Sequence, residues 1–212
     1  RAKVDCVRYT QGHPESAADA GRHLGIALEH LRGGTVRLVV VGGAPGTGKS
    51  TLARALAGPL DARVVSTDDV RAQMVTAGDI AGAPGTLGEG LYSPANVAAV
   101  YDAVLRQAHL NLCEGRSVVL DGTFADPDLR RRAREIAGGS SCPVVELVRA
   151  APLAQTVDRI EHRTATTSQA TPEIAAALTG RDTDWPQAHR IDTTRAPAAT
   201  LAEALEICRT TR

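Results

Sequence analysis

A β-branched run, VRLVVVGG (36–43), leads into a glycine-rich turn and then a helical pattern. A run this short, with no polar alternation, reads as a strand buried on both faces. The pattern recurs at ARVVSTDD (62–69), RSVVLDGT (116–123) and CPVVELVR (142–149), and more weakly at AHRIDTT (188–194). Helical patterns fall between them at about 49–58, 94–114, 127–138, 152–164 and 172–179. Strands alternating with helices predict an α/β fold, a parallel sheet covered on both faces. Three helix starts are especially legible. Ser93–Pro94, Asp126–Pro127 and Thr171–Pro172 each put a capping oxygen before a proline at the first helical position, where the missing N–H costs nothing.

The turn after the first run is GAPGTGKST (43–51). It fits G-x-x-x-x-G-K-[ST] through Gly43, Gly48, Lys49 and Ser50, with a strand before it and a helical pattern behind. Glycines let the backbone of Gly43, Ala44, Pro45, Gly46, Thr47 and Gly48 turn its N–H groups inward as an anion nest. The following helix adds the positive end of its dipole. This predicts ATP as the ligand. Lys49 reaches the β- and γ-phosphates, Ser50 ligates Mg²⁺, and Thr51 bonds the α-phosphate. Lys3 and Lys49 are the only lysines in the chain, so a lysine kept at this position is informative. GAPGT occurs again at 82–86, but with neither a strand before it nor a lysine after it. That copy reads as glycine-rich loop chemistry within a mobile segment, 78–92, of the kind that forms lids or substrate-binding loops.

Acids at the carboxyl ends of strands face the crevice where ligands bind in open α/β sheets. Asp68, ending the second run, is a candidate base for a hydroxyl attacking the γ-phosphate. Arg71 lies one helical turn on, as a candidate substrate contact. A capping acid with a surface arginine is the alternative. Asp121, ending the third run, is a candidate Mg²⁺ ligand, with helix capping as the alternative, and Thr123 points into the same crevice. Arg159 and Arg163 share a helix face before the polar stretch TATTSQAT (164–171). They are candidate lid arginines that neutralise charge on the transferring phosphoryl group, with an exposed surface pair as the alternative. RRRAR (130–134) reads as a solvated helix face rather than a nucleic-acid patch.

Composition excludes several classes. Formal net charge is zero and aromatics make up 2%, which argues against nucleic acid as a partner. No apolar run approaches a membrane span and no signal peptide is legible, so a cytoplasmic chain with no membrane partner is expected. Four scattered cysteines suggest neither a metal site nor a disulfide framework; Cys113 and Cys142 read as small core residues. The six histidines show no ligand spacing. Residues 14–34 form an amphipathic helix with Ala20, Leu24, Ala27, Leu28 and Leu31 on one side. Arg1 stands where an initiator methionine is expected, which suggests a piece of a longer polypeptide.

GAPGTGKST, STDDVR, LYSPANVAAVYDAVL, SVVLDGTF and DRIEHR occur in this order. Together they resemble the P-loop kinase group that contains zeta toxins, gluconate kinase, chloramphenicol phosphotransferase and phage polynucleotide kinase. The resemblance covers about residues 35–208 and is most similar to the ATP-binding carboxy-terminal half of a two-domain bacterial protein. The amino-terminal half of that protein resembles aminoglycoside phosphotransferases. It implies a five-stranded parallel sheet in the order 2-3-1-4-5 with a mobile lid. It also implies residues 1–34 as the tail of a preceding domain, with 35–212 as the kinase-like domain. Asp68 is then the base, Arg71 with Tyr92 shapes the acceptor site, and Arg159 and Arg163 touch nucleotide phosphates. The loop at Asp192 lies near the adenine. The expected activity is transfer of the γ-phosphate of ATP, with Mg²⁺, to a hydroxyl of a small-molecule acceptor. An ATP-sensing regulatory module and a polynucleotide 5′-hydroxyl kinase are the alternatives.

Overall fold

The computed structural model describes residues 1–84, 86–162, 174, 176, 185–192 and 195–211. It divides into two units, Arg1–Thr35 and Val36–Arg212. The first is a helix pair, α1 (Ala2–Thr10) and α2 (Ser16–Gly34). His23 Nδ1 meets Asp5 Oδ2 at 2.8 Å between them. Much of its apolar surface is bare: Val4, Val7, Leu24, Leu28 and Leu31 are all exposed.

The second unit carries five strands: β1 (Leu38–Gly42), β2 (Ala62–Ser66), β3 (Ser117–Asp121), β4 (Val144–Ala150) and β5 (His189–Asp192). They form one sheet in the order β2-β3-β1-β4-β5, and every pairing is parallel. This is the expected order. The helices are α3 (Lys49–Ala57), α4 (Thr67–Ala77), α5 (Pro94–Cys113), α6 (Pro127–Gly139), α7 (Leu153–Glu161) and α8 (Pro197–Thr210).

Alternation along β1 explains the two-faced burial. Val39 and Val41 join Leu52 and Leu56 of α3 and Ala204 and Cys208 of α8 in one core. Leu38 and Val40 join Val100, Val104 and Ala108 of α5 and Ala133 and Ala137 of α6 in the other. Each fully buried aliphatic side chain contributes about 1.5–3 kcal/mol. Ser93 and Asp126 cap as expected, accepting from Asn96 N at 3.4 Å and Asp128 N at 2.8 Å. The Thr171–Pro172 start, the helix at 172–179 and the stretch 164–171 lie outside the described residues but for Ile174 and Ala176, and the fifth run is described only to Asp192.

Several expectations need correction. The second run is a strand only to Ser66; Thr67 onward is α4, capped by Ser66 Oγ accepting from Asp68 N at 3.3 Å. α1 and α8 were not expected. Cys113 is exposed rather than core, while Cys208 is buried and Cys142 partly so. The arginine run on α6 is not a purely solvated face. Arg131 and Arg132 point outward, but Arg130 is buried, with its guanidinium 4.8 Å from the centre of the Trp185 ring. Arg134 donates to buried Glu146 on β4 at 2.8 Å, and the Trp185 indole N–H donates to the same carboxylate at 2.8 Å.

Candidate active site

Register brings the candidate residues together. Asp121, the last residue of β3, pairs with Val41 on one side and Ser66 on the other. The chain leaves β1 into the glycine-rich turn and leaves β2 into the first turn of α4. The turn, Asp68 and Asp121 are therefore held along one sheet edge.

Gly43, Gly46 and Gly48 all have positive φ. At Gly46 an added Cβ would stand 2.6 Å from the Thr156 carbonyl of α7, so no larger residue fits. The Ala44 carbonyl accepts from Thr47 Oγ1 at 2.8 Å and from Lys49 Nζ at 3.4 Å. α3 begins at Lys49 with no side-chain cap, and its N-terminus directs the positive end of the helix dipole at this turn.

Burial pushes the Asp121 carboxyl above its usual range, against the pull of the Lys49 charge and a hydrogen bond with Ser50. Its Oδ1 is buried without a hydrogen-bond partner. A buried carboxylate oxygen lacking a donor beside a hydroxyl is an oxygen donor set suited to Mg²⁺. Among the described residues no cluster of three His, Cys, Asp or Glu side chains offers another metal site.

Lys49, Asp68, Arg71, Tyr92, Asp121 and Thr123 line one cavity of about 190 Å³, together with Pro45. Arg71 Nη1 donates to Asp68 Oδ1 at 2.7 Å, and its guanidinium stacks 4.6 Å from the centre of the Tyr92 ring. Tyr101, which the sequence did not single out, sits beneath. Its hydroxyl pairs with Thr123 Oγ1 at 3.0 Å and accepts from Phe124 N at 3.1 Å. Burial raises its pKa, opposed by the Thr123 hydrogen bond.

A second cavity, of about 470 Å³, borders the same turn at Gly48. Gly48, Thr51, Arg149, Arg159, Arg195 and Pro197 are among the residues that line it. Arg149 was missed. It follows the apolar part of β4, donates to the Gly48 carbonyl at 2.9 Å and leaves Nε buried without a partner. Burial, then the neighbouring Arg159, lowers its pKa. The signal was present in the sequence, because a charge ending a buried strand beside the P-loop strand is what marked Asp121. Near the adenine expectation, the lining comes from Arg195, Ala196 and Pro197. Asp192 is exposed, and its carbonyl lies 3.5 Å from Thr200 Oγ1. Arg163 lies outside the described residues.

Residues 38–183 match a family model described as AAA domain. The chain belongs to this family. Among curated relatives, uncharacterized proteins of Mycobacterium tuberculosis H37Rv and Mycobacterium bovis are 52% identical over 209 residues, or 99% of this chain. The chain spans 42% of the length of these relatives. This AAA domain also resembles solved kinases. A sugar kinase from Janibacter sp. HTCC2649 superposes with a TM-score of 0.60 at 20% identity, covering 81% of this chain and 93% of that one. The Mycobacterium tuberculosis APS kinase, in complex with AMPPNP and APS, gives 0.62 at 18% identity, covering 83% and 99%. A gluconokinase from Sinorhizobium meliloti gives 0.57 at 18% identity, covering 81% and 91%. At these identities the likeness establishes the fold, that of P-loop kinases. Among the described residues no helix is long and apolar enough to cross a membrane.

Proposed function

We propose that this AAA domain transfers the γ-phosphoryl group of ATP to a hydroxyl of a small molecule. The observation that carries the reading is the single cavity lined at once by Lys49, Asp68, Arg71, Tyr92, Asp121 and Thr123. The glycine turn and the N-terminus of α3 hold the phosphates, with Lys49 neutralising the β- and γ-oxygens. The cavity of Arg149, Arg159 and Arg195 receives the rest of the nucleotide; Thr51 lines it beside the phosphates. Arg163 and Asp192 join this set on the resemblance alone. Asp121 and Ser50 would hold Mg²⁺, which when bound offsets charge on the phosphates.

Asp68 accepts the proton of the acceptor hydroxyl. The hydroxyl oxygen bonds to the γ-phosphorus, the bridging β–γ bond breaks, and ADP leaves with that electron pair. Arg71 holds the Asp68 carboxylate through Oδ1, leaving Oδ2 for the proton. Thr123, held by Tyr101, and Tyr92 shape the acceptor wall. Positioning and charge neutralisation supply most of the rate. Such a reaction draws on cytoplasmic ATP.

The test is γ-phosphate transfer to a panel of hydroxyl compounds by wild type and Asp68→Asn. The variant is expected to lose roughly 10²–10⁴-fold in kcat, with ATP affinity retained. Full turnover by the variant would remove Asp68 from the mechanism.

The chain matches less than half the length of its relatives, which keeps a second reading open: a nucleotide-sensing module for the rest of a longer protein. Under it, Asp68→Asn leaves ATP binding and any regulation intact and no transfer is found in wild type. In either case we infer that α1 and α2 pack against a preceding aminoglycoside phosphotransferase-like domain, a reading supported by their bare Leu24, Leu28 and Leu31. Loss of hydrogen-exchange protection in α2 on deleting that domain is the expected result.

A further inference from the structure

We propose that the acceptor is a small alcohol with an apolar body and no negative charge, selected by Leu87. This rests on the kinase reading above and specifies its acceptor side.

The charges of the cavity are already committed. Of its two cations among the described residues, Lys49 belongs to the phosphate turn. Arg71 is neutralised by Asp68 at 2.7 Å and covered by the Tyr92 ring. The Arg71 Nε, which has no hydrogen-bond partner, is itself buried from solvent. Among the described residues the lining therefore holds no further guanidinium or ammonium to form the forked pair that recognises a carboxylate or sulfate. Asp126, also in the lining, spends Oδ1 on capping α6 and adds a negative charge. An anionic acceptor would be desolvated beside a carboxylate, with no uncommitted counter-charge among the described residues.

The remaining walls are apolar: Leu87, Val97, Leu129 and Ile174, with Tyr92. They suit an apolar body, and Thr123 offers a hydroxyl to orient it. Leu87 is carried by the second GAPGT segment, whose geometry is closed at its neck. Gly82 and Gly90 cross there, both with positive φ, and a Cβ on Gly82 would stand 2.5 Å from the Gly90 carbonyl carbon. Leu91 N donates to the Ala83 carbonyl at 3.1 Å. Asn96 Nδ2 bridges the neck, donating to the Ala81 and Gly90 carbonyls at 3.1 and 2.8 Å. Leu87 thus lines the cavity beyond a closed neck, and Gly82 and Ala83 of the second GAPGT serve this neck.

The test compares matched alcohols of one carbon skeleton, either neutral or bearing a carboxylate. Binding to the full chain with AMPPNP is read by calorimetry, and transfer from labelled ATP is read separately. The neutral alcohol is expected to bind at least about 10-fold tighter than its carboxylate partner, and Leu87→Arg to reverse the order. Leu87→Glu is expected to raise the neutral acceptor's KM at an unchanged KM for ATP. Equal or tighter binding of the carboxylate by wild type, or binding of neither alcohol, overturns the proposal. Selective binding of the neutral alcohol without transfer upholds the subsite and removes the kinase reading instead.

Discussion

Lys49 shows how far one side chain depends on its surroundings. In this structure its ammonium rests 3.4 Å from the Ala44 carbonyl, a contact a phosphate oxygen would replace. Lys49→Ala is expected to lower phosphoryl transfer by on the order of 10²–10³-fold, as removal of one transition-state donor does elsewhere. Labelled transfer at saturating ATP measures it. Cys208 makes a separate prediction. Burial pushes its thiol from 9.0 up to about 11. The folded chain therefore keeps a proton that the unfolded chain releases, so stability falls as pH rises across that interval. Tyr101 adds to the fall in the same sense from its own ordinary range upward. Urea titrations across this window are expected to show a shallower decline for Cys208→Ala, whatever its overall loss from the cavity.

Helices and loops were legible where their ends carry capping chemistry. Ser93 and Asp126 announce α5 and α6 because an oxygen precedes a proline. α8 has proline at its start but Ala196 before it, with no capping side chain, so half the signal is absent. The start of α4 was hidden for a different reason. Its cap, Ser66, has the extended backbone of the strand that precedes it, and β-branched Val64, Val65 and Thr67 let the strand pattern run on. The Gly82–Gly90 neck was unreadable because its partner Asn96 lies on α5, beyond any local pattern. Asn96→Ala is expected to free the neck and raise the acceptor KM, with the KM for ATP unchanged. A rise in both would mean that the loop also supports the nucleotide.

Across the domain, α6 is tied to the sheet by a buried polar cluster. Glu146 accepts from Arg134 and from the Trp185 indole, and Arg130 covers the ring. Gly42 leaves room for that ring where β1 enters the phosphate turn. Trp185→Ala is expected to cost about 3–5 kcal/mol, measured by chemical denaturation. A concurrent loss of ATP affinity is expected, because the cavity opens beside the turn. Glu146→Gln, which can still accept from the indole, is expected to cost less.

The parallel α/β architecture, the phosphate turn and the acid that ends β3 all follow from local pattern. Each depends on residues adjacent in the chain: a β-branched run, a glycine spacing, a charge at the end of an apolar stretch. The inward turn of Arg130 and Arg134, the role of Arg149 and the neutralised Arg71 do not follow from it. Arginines on a helix or strand look alike in the sequence whether they meet water, a carboxylate or a ring. Their partners are Trp185, Glu146, the Gly48 carbonyl, Asp68 and Tyr92, and most come from other elements. Only packing those elements together selects which charges are spent and which remain for a ligand.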